Sequence, residues 1–226
     1  MPDQLPKATI QQRYPGQSLA SRCLYRFAQS LTYRLARLFY GFKPLHTDRV
    51  PDAGPLVVVC NHQSHFDPPL VSHCFRRRAV HFFARASLFD IPILGFLIPR
   101  LQAFPVKRGE ADTKAIREAL NRLELGAAVL LFPEGTRSKD GEVQEFKRGA
   151  LLLLRKARCP VLPIAIDGAI DAFPRTRKFP KLFGPKLYAA VGEPIDHAEL
   201  FQDGDDAALE RLRTEVVRLK DEAKSR

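Results

Sequence analysis

The chain has 226 residues, 45% of them hydrophobic and 27% charged. That is enough for one domain with a sizeable core, and it places the chain among globular proteins rather than disordered ones. A formal charge of +11 at pH 7 directs its surface to a negative partner: nucleic acid, an anionic bilayer or a phosphorylated ligand.

Cys23, Cys60, Cys74 and Cys159 have no metal-ligand spacing, and they fit a reducing compartment. Residues 1–17 lack the apolar core of a signal peptide and read as a flexible arm with Pro2, Pro6 and Pro15. Residues 18–40 read as a helix. Leu24, Phe27, Leu31, Leu35 and Leu38 recur at steps of three and four, with Arg22, Arg26 and Arg37 on or near the other side. A basic amphipathic helix with interleaved aromatics suits either a bilayer surface or the protein's own core. No run of ~18 apolar residues occurs, so a membrane span is not expected.

Residues 55–60 read as a buried strand with three consecutive valines. Residues 61–69 read as a turn closed by Pro68 and Pro69, and residues 70–75 as a short helix. A strand is expected at 80–84. Residues 88–101 are apolar but broken by Pro92, Gly95 and Pro99; they read as a buried helix and loop, or as an apolar wall or lip of a ligand site. Asp112 caps a helix whose apolar face is Ile116, Ala119, Leu120 and Leu123, and Gly126 ends it. Further elements are a strand at 127–132, a helix at 147–157, strands at 161–166 and 186–191, and a C-terminal helix marked by Leu209, Leu212, Val216 and Leu219. Alternating strands and helices of this kind predict an α/β fold with helices flanking one sheet.

Three segments carry chemistry. The first is Asn61-His62-Gln63-Ser64-His65-Phe66-Asp67, directly after the valine strand, at the strand end where open α/β sheets bind ligands. His62 has the chemistry of a general base, and Asp67 can fix its tautomer if the chain turns between them. His65 competes for that role from further along the chain. The second segment is Val106-Lys107-Arg108-Gly109, a source of positive charge at the same rim. The third is Phe132-Pro133-Glu134-Gly135-Thr136-Arg137-Ser138, also following a buried strand. Gly135 permits an unusual turn, Arg137 offers a planar donor fork suited to phosphate, and Glu134 offers an acceptor. Lys147 and Arg148 are weaker candidates. A serine-hydrolase elbow and a phosphate-cradling G-x-x-x-x-G-K-[ST] loop are absent, and no ligand cluster suggests a metal.

Taken together, these segments resemble the glycerolipid acyltransferase family, specifically the lysophosphatidate acyltransferases. His62 to Asp67 is similar to that family's H-x-x-x-x-D motif, with Ser64 inside it. Val106 to Arg108 resembles its second motif, with lysine before the arginine as a departure. Phe132 to Ser138 matches F-P-E-G-T-R-S, and Val161-Leu162-Pro163-Ile164-Ala165 resembles the fourth motif. The likeness runs over residues 45–193.

An acyltransferase domain is expected over 45–226, and the basic amphipathic pattern before it is expected to form a membrane-associating helix over 18–44. The resemblance implies His62 as base, Asp67 as its partner, and Arg108, Glu134, Gly135, Thr136 and Arg137 as substrate-binding residues. It also implies transfer of a fatty acyl group from acyl-CoA or acyl carrier protein to lysophosphatidate, giving phosphatidate, with no permanently bound cofactor. The expected location is the cytoplasmic face of an anionic membrane, as a peripheral or monotopic protein. Acceptors such as glycerol 3-phosphate or another lyso-lipid remain open. So does a non-catalytic membrane-binding protein, although His62 and Asp67 beside an intact Phe132 to Ser138 argue against it. Aromatics interleaved with bases over 173–183 also fit single-stranded nucleic acid, and the same pattern fits a bilayer interface.

Overall fold

The computed structural model describes residues 8–107, 112–177 and 179–226. Among the described residues, seven strands form one sheet: β1 (Lys43–Leu45), β2 (Leu56–Cys60), β3 (Val80–Arg85), β4 (Ala103–Val106), β5 (Ala128–Leu131), β6 (Val161–Asp167) and β7 (Tyr188–Val191). Their order is β1-β7-β6-β2-β5-β3-β4. Pairing is parallel throughout except for β6 with β7.

The helices are α1 (Ile10–Arg13), α2 (Leu19–Tyr40), α3 (Asp67–Cys74), α4 (Pro92–Arg100), α5 (Thr113–Glu124), α6 (Leu151–Ala157), α7 (Ala169–Ala172), α8 (His197–Leu200) and α9 (Asp205–Lys224). They cover both faces of the sheet, because alternate strand residues point to opposite sides. Val57, Val59, Val129 and Ala165 pack with α5, α6 and α9. Leu56, Val58, Cys60, Leu130 and Ile164 pack with α2, α3 and α7. A strand buried on both faces reads as a continuous apolar run, which is why β2 and β6 were visible in the sequence.

Local chemistry sets the helix ends. The Ser18 side chain accepts from Ser21 N at 3.2 Å, and Asp112 accepts from Lys114 N and Ala115 N, each at 3.1 Å.

Several expectations are corrected. Pro68 and Pro69 do not close a turn. They sit in the first turn of α3, where a missing N–H costs nothing, so the helix begins at Asp67 rather than at residue 70. The helix expected over 147–157 opens with a 3₁₀ turn and becomes α-helical at Leu151. Within the segment read as an arm, α1 is capped by Thr9, and Tyr14 is buried against Tyr25. The short strands β1 and β4 and the one-turn helices α7 and α8 carried no periodicity long enough to read. The α4 segment is buried on one side only: Ile98 is buried, whereas Ile91 just before the helix and Ile93 and Phe96 within it are exposed.

Candidate active site

Parallel strands β2 and β5 are neighbours, so the segments that follow them emerge side by side. Asn61 starts the first of these. It is fully buried, its Oδ1 accepts from Ile166 N at 2.8 Å, and its Nδ2 donates to Ile166 O at 2.9 Å. These two bonds replace a rung of the ladder between β2 and β6 and fix where the chain leaves the sheet. The sequence reading took Asn61 for a turn residue and missed this tie.

The chain then turns so that His62 Nδ1 and Asp67 Oδ2 meet at 2.7 Å. The same carboxylate oxygen accepts from Gln63 N at 2.6 Å and Ser64 N at 2.7 Å. Asp67 also lies in the first turn of α3, where the helix dipole favours negative charge. Its side chain is wholly buried, while that of His62 is 15% exposed. A carboxylate acceptor assigns the proton to Nδ1 and leaves Nε2 as the nitrogen available to a ligand. Ser64 Oγ donates to Phe173 O at 2.7 Å and accepts from Phe66 N at 3.1 Å, which closes the turn. His65 is exposed and lies against Phe173, with ring centroids 5.4 Å apart.

The segment after β5 holds the first one in place. Phe132 stacks on the His62 ring, with centroids 4.0 Å apart and planes 15° apart. His62 N donates to Glu134 Oε1 at 3.1 Å, and Ser138 N donates to His62 O at 2.7 Å. Gln63 Nε2 reaches Gly141 O at 2.7 Å. Gly135 has φ +68°, a left-handed conformation that glycine adopts without strain.

Glu134, expected among the substrate-binding residues, lies within hydrogen-bonding distance of the His62 amide. It is 1% exposed and stands behind the His62 backbone. Burial pushes its carboxyl up to about 7; the His62 amide opposes that rise and the Asp67 charge adds to it.

His62 and Gly135 line a cavity of about 490 Å³. Its walls include Phe83, Ile116, Leu131 and Leu152, and its rim carries Arg85, Lys107 and Lys147. Apolar walls with a few basic groups suit a ligand that is part hydrocarbon and part anion. Thr136 is exposed and Arg137 half-buried, both on the same loop. Arg108 lies outside the described residues. Arg148 is turned away and pairs with Asp206 at 2.7 Å. Arg85 was missed in the sequence, although as the last residue of β3 it shares the strand-end rim.

The family described as Acyltransferase matches residues 44–167. The chain is 34% identical over 139 residues to the chloroplastic 1-acyl-sn-glycerol-3-phosphate acyltransferase LPAT1 of Arabidopsis thaliana, covering 60% of this chain but only 38% of that protein. It is 31% identical over 186 residues to the 1-acyl-sn-glycerol-3-phosphate acyltransferase of Pseudomonas aeruginosa, covering 78% of this chain and 70% of that one. The crystal structure of the 1-acyl-sn-glycerophosphate (LPA) acyltransferase PlsC from Thermotoga maritima superposes with a TM-score of 0.75 at 29% identity, over 91% of this chain and 80% of that one. With the segments after β2 and β5 side by side at one rim of the sheet and the family match spanning more than half its length, this chain belongs to the acyltransferase family.

Proposed function

We propose that this protein transfers a fatty acyl group from a thioester, carried by coenzyme A or acyl carrier protein, to the free hydroxyl of lysophosphatidate. The observation that carries the reading is the His62–Asp67 pair, 2.7 Å apart, at the end of an apolar cavity with a basic rim. The names of the relatives support the choice of acceptor.

In this reading His62 Nε2 takes the proton from the acceptor hydroxyl as its oxygen attacks the thioester carbonyl carbon. The tetrahedral intermediate collapses, the C–S bond breaks, and the imidazolium returns the proton to the leaving thiolate. Asp67 holds the ring and stabilises the imidazolium, without itself taking the proton. A positioned base contributes roughly a hundred- to ten-thousand-fold, so holding both substrates in register supplies much of the remainder. Phe132 fixes the ring plane by stacking. Glu134 acts as a positioning residue through the His62 amide, because it is too buried to meet substrate. Gly135, Thr136, Arg137 and Arg108 hold the acceptor phosphate, with Lys107, Lys147 and Arg85 adding positive charge. The apolar walls receive an acyl chain.

Both the acceptor and its diacyl product partition into bilayers, so the protein works at a membrane surface, attached by shallow insertion and charge. No described helix is long and apolar enough to cross a membrane. The reading is tested by incubating the protein with radiolabelled acyl-CoA or acyl carrier protein thioester and a panel of acceptors: lysophosphatidate, other lysophospholipids, a non-phosphorylated lyso-lipid and glycerol 3-phosphate. Labelled phosphatidate as the dominant product supports it; transfer confined to another acceptor overturns the substrate assignment.

A further inference from the structure

The helix α4 (PILGFLIPR) has no acidic residue and ends in a single arginine. Ile93 is 83% exposed and Phe96 62% exposed, with Ile91 beside them. Large apolar groups so placed mark a contact surface when they join others.

The helix is firmly seated, so these side chains are held outward. Leu94 and Ile98 pack beneath it against Ala84 and Ala103. A Cβ on Gly95 would meet Phe89 O at 2.1 Å, so only glycine lets α4 lie this close to the turn before it.

The neighbours of α4 continue the same surface. Phe82 packs under α4 and also into the layer beneath α2, so both helices lie on one face of the sheet. On α2, Phe27, Leu31, Leu35 and Leu38 are exposed. Its Phe39 meets Phe183 edge-on at 5.2 Å, which draws in the loop bearing exposed Phe179, Leu182 and Phe183. Residues 19–40, 92–100 and 173–187 contain no aspartate or glutamate, but carry many arginines and lysines. The Arg100 guanidinium lies over the Phe96 ring, 3.6 Å from its centroid, and its Nη1 donates to Phe96 O at 2.6 Å.

We propose that α4 inserts into an anionic bilayer as a third contact element beside α2 and the 179–183 loop. The proposal rests on the membrane-acting reading above and adds a residue-level anchor to it. Charge complementarity selects the occupant. A bilayer supplies apolar depth for Ile93 and Phe96 and phosphate charge for the basic residues around them. Arg85, the last residue of β3, lines the cavity and lies seven positions before α4 begins.

The chain has no tryptophan, so a single introduced indole reports its own surroundings. Ile93→Trp tests the helix. Leu125→Trp, an exposed site at the end of α5 and at the opposite end of the strands, is the control. Each full-length variant is mixed with phosphatidylglycerol–phosphatidylcholine vesicles, with and without brominated acyl chains, and binding is measured separately by co-sedimentation. The expected result is co-sedimentation of both variants, with a blue shift and bromine quenching for Ile93→Trp and neither change for Leu125→Trp. Co-sedimentation with unshifted, unquenched emission from Ile93→Trp overturns the role of α4 and leaves membrane attachment standing. Loss of co-sedimentation by both variants and the parent chain overturns the membrane reading and this proposal together. Blue emission from Ile93→Trp before vesicles are added, with a dimer in sedimentation, assigns the patch to a second copy of the chain and also overturns it.

Discussion

Asp67→Asn separates the charge of Asp67 from its shape. In the native turn, Asp67 Oδ2 accepts from His62 Nδ1, Gln63 N and Ser64 N at 2.7, 2.6 and 2.7 Å. Two of those donors are backbone amides that cannot turn away, so the asparagine oxygen takes the same place and the histidine tautomer is kept. What disappears is the negative charge that stabilises the imidazolium during transfer. A hydrogen bond to a charged partner contributes about 1.5–3 kcal/mol, and each ~1.4 kcal/mol is tenfold in rate. The variant therefore loses roughly ten- to 150-fold in kcat, with little change in acceptor KM, because the carboxylate touches no substrate. Steady-state phosphatidate formation at saturating thioester measures both constants, and circular dichroism checks the fold. By contrast, Asp67→Ala strands three donors and lowers stability as well, by ~1–3 kcal/mol for each donor left buried. A folded Asp67→Asn protein with kcat within twofold of the parent, or with only its KM altered, refutes the reasoning.

Glu134→Gln should change how stability depends on pH. Burial raises the folded carboxyl from 4.5 to about 7, so its contribution is fully present below about pH 4.5 and lost as pH rises through about 7; thermal melts should show the variant gaining on the parent between pH 5 and 8, and parallel curves would reject the assignment. Arg137→Ala should raise acceptor KM roughly tenfold while sparing kcat, as loss of one phosphate contact of ~1.5 kcal/mol requires; an unchanged KM in the same assay moves that contact to Arg108. Leu152→Trp narrows the cavity wall and should shorten the longest acyl chain transferred, read by competition between thioesters of different length; an unaltered length profile takes the acyl chain out of this cavity.

The sequence was most informative where a residue's neighbours in space are also its neighbours in sequence. The valine run of β2 and the helical steps of α5 were legible because each strand or helix repeats its own pattern. The juxtaposition of His62 and Asp67 was legible because a polar segment with Asn61 and Ser64 directly after a strand has to turn, although Pro68 and Pro69 belong to α3 rather than to that turn. The ties that set the site were not legible. Asn61 to Ile166, Gln63 to Gly141 and Glu134 to His62 join residues 105, 78 and 72 positions apart. A glutamate within a polar loop reads as exposed until the packing is seen; Glu134 is 1% exposed. The α4 segment misled for the opposite reason. Its apolar composition suggests burial, yet only Ile98 is buried within it, because one side of α4 packs on the protein and the other carries an arginine-edged apolar surface.

The most direct test of the mechanism compares His62→Ala with His65→Ala in the transfer of radiolabelled acyl groups from thioester to lysophosphatidate, with both variants shown to be folded. With His62 as the base, His62→Ala forms no labelled phosphatidate above the no-enzyme background, and His65→Ala keeps most of the parent rate. Substantial turnover by His62→Ala, or its loss in His65→Ala alone, would contradict the account.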